Sequence, residues 1–144
     1  MLPRPPGSVD PGSLLQFGDR FLTPPAGPRV ILFSMPESTL EVTPQEVKQR
    51  LDAGRAIRLI DVREPFEHQQ ARIEGADLIP MRTVPAHLAD LQTEDRELVV
   101  LCHHGVRSLQ VVHWLREHGV PLCHSMSGGI DRWSLEIDPS VPRY

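Results

Sequence analysis

The sequence predicts an α/β domain built on a mainly parallel central sheet of about five strands, with helices on both faces. Three observations lead there. Short apolar runs alternate with capped or amphipathic stretches from Thr39 onward. The strongest run, Leu98–Leu101, is uninterrupted rather than alternating, which is the pattern of a strand covered on both faces. Glycine or proline punctuates most of the junctions between runs, so each element is short and strands alternate with helices.

Seven of the 15 prolines fall within the first 28 residues, and residues 1–37 are therefore read as an irregular Pro-rich extension preceding a domain over 38–144. Within the extension, Leu14, Phe17 and Phe21 lie near helical spacing, broken by Gly18. Such a cluster either docks on a partner or packs loosely on its own domain, and the second use is the commoner.

Each element of the domain then has its own signal. Thr39–Val42 is a short strand candidate. Thr43, Pro44 and Glu46 form an N-cap, a first helical proline and a third-position carboxylate, which together make a capping box. Val47 and Leu51 give that helix an apolar pair, and Gly54 ends it. Ala56–Val62 is a second strand, Glu64–Gln70 one or two helical turns, and Ala76–Pro80 a third strand. His87–Leu91 reads as a short helix and Glu97–Cys102 as the clearest strand. Arg107–His118 is a helix stopped by Gly119, and Pro121–Met126 a final strand. Gly128 and Gly129 then supply a tight turn, with Trp133 packed as core and Asp131 a cap or solvated residue.

Composition narrows the function. A net charge of −4 argues against a nucleic-acid or acidic-membrane partner. Two cysteines build no disulfide framework, no run reaches transmembrane length, and the first residues lack an apolar signal core. A soluble cytoplasmic chain is the expectation. The seven histidines show no zinc-type spacing near the cysteines, and the adjacent pairs in Cys102-His103-His104 and Cys123-His124 are poor chelators, so no metal and no cofactor are expected. His113 and His118 are expected on the surface.

The chemistry is expected at Cys102, where a buried strand ends and a helix begins. Ligands of open parallel sheets bind beyond the carboxyl ends of the strands. The loop His103, His104, Gly105, Val106, Arg107, Ser108 is short and contains a glycine, so its amides can turn inward to cradle an anion at the positive end of the helix dipole. A thiol held there is expected to react as the thiolate, with Arg107 and protonated histidines adding to the field. The plainer alternative is a small core residue that caps its strand. Asp61 and Arg63 follow another strand, either as a positive group near the loop or, the favoured reading, as an ion pair that anchors strand ends. Cys123 is read as a buried inert thiol in preference to a resolving one.

Three segments occur in series: Leu59–Glu67, Leu98–Ser108 and Met126–Trp133. In content and spacing they resemble the single-domain rhodanese-like sulfurtransferases, over Thr39 through Trp133. The resemblance implies a three-layer rhodanese-like fold and an enzyme in which Cys102 accepts a sulfane sulfur and holds it as a persulfide. The sulfur then passes to a thiophilic acceptor, as in the thiosulfate:cyanide reaction used to assay the family. His103 to Ser108 would form the cradle. The implied partners are a small sulfur donor, thiosulfate or a persulfide, and a sulfur-acceptor protein. A non-catalytic or sulfur-carrier module that binds a protein partner is the second reading. Cysteine phosphatases and arsenate reductases are a weaker third: the phosphatase loop resembles C-x5-R, whereas four residues separate Cys102 from Arg107 here. Two departures from the family stand out. His103 occupies a position that is most often arginine in thiosulfate-using members, and its charge depends on pH near neutrality. "ARIEGA" at Ala71–Ala76 replaces the usual Gly-His-Ile-Pro-Gly-Ala, in a stretch expected to serve as a connection.

Overall fold

The computed structural model describes residues 39–144. The expectations about the Pro-rich stretch and the Leu14–Leu22 cluster fall outside the described residues. Five strands form one sheet: β1 (Glu41–Val42), β2 (Ile57–Asp61), β3 (Asp77–Leu78), β4 (Glu97–Leu101) and β5 (Cys123–Met126). Their spatial order is β1-β5-β4-β2-β3, and every pairing is parallel. The helices are α1 (Pro44–Asp52), α2 (Pro65–Gln70), α3 (Leu88–Gln92), α4 (Val106–Glu117) and α5 (Gly129–Glu136), with a 3-10 turn over Met81–His87.

The central strand explains the layering. All five residues of β4 are buried, and alternate side chains enter two separate cores. Leu98, Val100 and Cys102 join Val111, Val112 and Leu115 of α4 and Leu91 of α3. Val99 and Leu101 join Val47 of α1 and Ile130 and Trp133 of α5. An apolar run without alternation is what two such cores require of one strand. No helix among the described residues is long and apolar enough to cross a membrane.

Local signals worked where the chemistry is local. At α1, Glu46 N donates to Thr43 Oγ1 at 3.1 Å and Thr43 N to Glu46 Oε1 at 2.8 Å, the capping box read from sequence. Gly54, at φ +80°, turns the chain after the helix. The segment Ala71–Ala76 is a connection between α2 and β3, and it sends Ala71 and Ile73 into the core.

Two elements differ from expectation. The segment after Gly128 is not only a turn: α5 begins at Gly129 and runs to Glu136. Paired glycines and the lack of a side-chain cap masked it, although Ile130, Trp133 and Ile137 recur at helical spacing and all pack on one core. The 3-10 turn was not anticipated because Pro85 sits inside it. A tight turn tolerates that proline more readily than a longer α-helix would.

Candidate active site

Parallel strands bring the three motif segments to one edge. Asp61 is in register with Leu101, so the carboxyl ends of β2 and β4 lie side by side, and β5 pairs on the other flank of β4. Arg63, Cys102 and Gly128 each follow one of these ends within two residues.

Cys102 is buried, and its sulfur is met by two amide donors and a hydroxyl. Gly105 N lies 3.1 Å from Sγ, Ser108 N 3.4 Å, and Ser108 Oγ 3.4 Å. Gly105 is the N-cap of α4 and has no side chain to offer, so the sulfur takes the amide of the third helical residue in place of a capping oxygen. The positive helix terminus thus points at Sγ, which suits an anion there. Gly105 sits at φ +103°, and a Cβ on it would approach Gly128 N to 3.1 Å. Ser108 Oγ also meets the buried Ser125 Oγ of β5 at 2.7 Å, which fixes the hydroxyl beside the sulfur.

The outer face of the loop is fixed by α5. Ile130 N donates to the Cys102 carbonyl at 2.8 Å and Asp131 N to the His103 carbonyl at 3.1 Å. The free amides of one helix terminus therefore hold the loop carbonyls outward, and the loop amides are left to face the sulfur. Gly129 permits this close approach at φ +61°.

Arg107 feels the Cys102 sulfur but is held mainly by a carboxylate. Its guanidinium makes a two-pronged pair with Glu67, at 2.9 and 3.1 Å. Tyr144 Oη donates to Glu67 Oε1 at 2.9 Å and accepts from Arg63 Nη1 at 2.7 Å. Arg63 is fully buried: Nε and Nη2 hold the two oxygens of Asp61 at 2.9 and 2.7 Å, and Nη2 also donates to the Ala71 carbonyl at 2.6 Å. Asp61, fully buried as well, has His68 Nδ1 at 2.9 Å. One chain of polar contacts thus runs Asp61–Arg63–Tyr144–Glu67–Arg107. Sequence reading found its two ends and Arg63 but not Glu67 or Tyr144. The i, i+3 carboxylates Glu64 and Glu67, which cap α2, were a signal for the first; nothing in the sequence pointed to the second.

The Arg107 guanidinium holds the Glu67 carboxyl down at about 2, well below its ordinary 4.5, with the Glu64 amide and the Tyr144 hydroxyl helping against burial. A carboxyl whose folded value is depressed stabilises the fold fully above its unfolded value, and this contribution is lost as pH falls. Glu67→Gln is therefore expected to lie below the parent in stability at neutral pH. The gap should close as pH falls from about 4.5 toward about 2. Urea midpoints of both proteins across that range test this, and a gap independent of pH would refute it.

The remaining candidates are placed as follows. His103 stacks on Tyr144 with centroids 4.1 Å apart and on His104 at 3.9 Å. Val106 and His104 are exposed. Asp131 pairs with Arg143 at 2.8 Å and faces His104 at 3.9 Å. His103, His104 and Asp131 offer one metal-ligating atom each within 4.8 Å of one another. The His103 and His104 rings lie 25° from parallel, and Asp131 is also held by Arg143. Cys123 is fully buried, burial pushes its thiol up, and Sγ donates to the Val120 carbonyl at 3.2 Å, all of which suit an inert thiol. His124 faces the buried Glu97 at 3.1 Å, while His113 and His118 are exposed.

Comparison with known proteins places this edge in context. The Rhodanese-like domain family matches residues 43–136. A rhodanese-like/PpiC domain-containing chloroplastic protein of Arabidopsis thaliana is 38% identical over 90 residues, which are 60% of this chain and 30% of that protein. The chain thus spans under a third of that relative's length. A sulfurtransferase of Allochromatium vinosum is 31% identical over 101 residues, covering 70% of this chain and 94% of that one. Among solved structures, a rhodanese-like domain protein from Staphylococcus aureus superposes with a TM-score of 0.62 at 29% identity, covering 72% of this chain and 97% of that one.

Proposed function

Because this chain belongs to the rhodanese-like domain family, we propose that it is a sulfurtransferase in which Cys102 carries sulfane sulfur as a persulfide. The observation behind the proposal is the cradle: one buried sulfur, at a helix N-terminus, facing Gly105 N, Ser108 N and Ser108 Oγ. The Cys102 thiolate attacks the sulfane sulfur of a donor, the donor's S–S bond breaks, and the remainder leaves with the electron pair. The terminal sulfur of the persulfide keeps the negative charge, which the loop amides and the helix terminus stabilise. A thiophilic acceptor, a small nucleophile or a protein thiol, then attacks that terminal sulfur and Cys102 departs as thiolate.

The roles follow from the contacts. His103, His104, Gly105, Val106, Arg107 and Ser108 form the loop. Ser125 orients the Ser108 hydroxyl. Asp61 and Arg63 anchor the strand ends beneath, and Glu67 holds Arg107. The loop's tight four-residue span between Cys102 and Arg107 suits a single sulfur atom in preference to a tetrahedral phosphate. Exposed Val106 and Phe66, each 67% accessible, give a protein acceptor apolar surface close to the Glu67–Arg107 pair in sequence.

Incubation with several sulfane-sulfur donors, followed by intact mass and peptide mapping, is expected to show a gain of one sulfur (~32 Da) on Cys102. Failure of every donor to load Cys102 would leave the protein-binding module as the better reading.

A further inference from the structure

Resting on the persulfide reading above, we infer that Cys102 takes its sulfur from an organic persulfide, R–S–SH, in preference to a dianion such as thiosulfate, and that the Tyr144–His103–His104 ring stack sets this choice.

The cations tied to the site by contacts are already committed. Arg63 is fully buried against Asp61, Arg107 is gripped at two points by Glu67, and Arg143 faces Asp131. Tyr144 reinforces two of these arrangements, because its hydroxyl bridges Arg63 and Glu67 while its ring lies within 8° of parallel to His103. The residue directly after the cysteine is therefore held between two ring faces, where a mobile cationic side chain would otherwise stand free. Its Nε2 is enclosed and has no hydrogen-bond partner among the described residues, an arrangement that suits the neutral imidazole. The groups facing it are His104 from the same loop, Tyr144 from the last residues, Asp131 of α5 and Glu67 of α2. Burial, then the neighbouring His104, push its titration down, and the two carboxylates offset this only in part.

A dianion brought to Cys102 gives up hydration without gaining, among the described residues, an arginine that is not already paired. A persulfide brings at most one charge at its reacting end, and its organic portion can lie over exposed Val106. The step balances without an added oxidant or reductant. The Cys102 thiolate attacks the outer sulfur of R–S–SH, the S–S bond breaks and R–S⁻ leaves. It takes up the proton carried by the transferred sulfur, which gives Cys102–S–S⁻ and R–SH.

The test measures the rate of single-sulfur loading on Cys102 by mass spectrometry, with cysteine persulfide, which carries at most one net negative charge, and thiosulfate at equal concentration. The parent protein should load from the persulfide at least about tenfold faster. His103→Arg and His103→Lys, each adding a cation at the loop, should raise the ratio of thiosulfate to persulfide loading by roughly tenfold or more. Equal loading from both donors in the parent, or an unchanged ratio in both variants, overturns the inference while leaving the persulfide reading intact. Loading from neither donor overturns the persulfide reading itself, so the two failures are distinguishable.

Discussion

Gly129→Ala is expected to destabilise the protein by about 3–5 kcal/mol and to slow sulfur loading on Cys102 by on the order of 100-fold. The new Cβ would lie 2.5 Å from the His103 carbonyl carbon and closer still to the carbonyl oxygens of Cys102 and His103. These are backbone atoms, so no side-chain rotation relieves the contact. The helix must withdraw, and the donations from Ile130 N and Asp131 N to those same carbonyls go with it. The left-handed backbone, at φ +61°, adds about 1–2 kcal/mol for any residue with a Cβ. Gly54→Ala separates the two effects, since a Cβ there meets nothing within 4 Å at φ +80°. It should show the backbone penalty alone and leave loading untouched. Urea denaturation and loading rates on both variants decide the matter; equal stability losses at the two glycines would show that the helix–loop contact contributes nothing.

Arg63→Met is expected to remove about 3–5 kcal/mol, because it leaves the Asp61 carboxylate buried with His68 as its one remaining side-chain partner among the described residues. Neither member of the pair is exposed, so water cannot replace the lost guanidinium. Its bonds to the Ala71 and Glu67 carbonyls and to Tyr144 go as well, which frees the far end of the chain that reaches Arg107. Adding Asp61→Asn to Arg63→Met should recover part of the loss, since the unpaired charge dominates it. A double variant no more stable than the single one would place the cost in packing and not in the charge. Arg63→Lys should rescue little, because an ammonium cannot reproduce the two-pronged grip on Asp61.

Much of the fold could be read from residues close in sequence. The capping box at Thr43, the buried run of β4 and the glycine stops depend on neighbours three or four positions away, and each stands where expected. The segment after Gly128 shows the limit of that logic. Its glycines looked like a turn because the usual helix caps are side chains, whereas α5 spends its free amides on the carbonyls of a loop more than twenty residues earlier. Glu67 and Tyr144 escaped for a related reason. Their role is to contact Arg107, 40 positions from Glu67, and Arg63, 81 positions from Tyr144.

By itself, then, the sequence determined that a cysteine would stand at the end of a buried parallel strand, before a glycine-bearing loop and a helix. Hydrophobic period, caps and turns are local and additive enough to say so. Which donors face the sulfur, which carboxylate claims Arg107, and which ring lies on His103 were decided only when the sheet set three strand ends side by side. Those contacts depend on distances between remote residues, and only packing sets such distances.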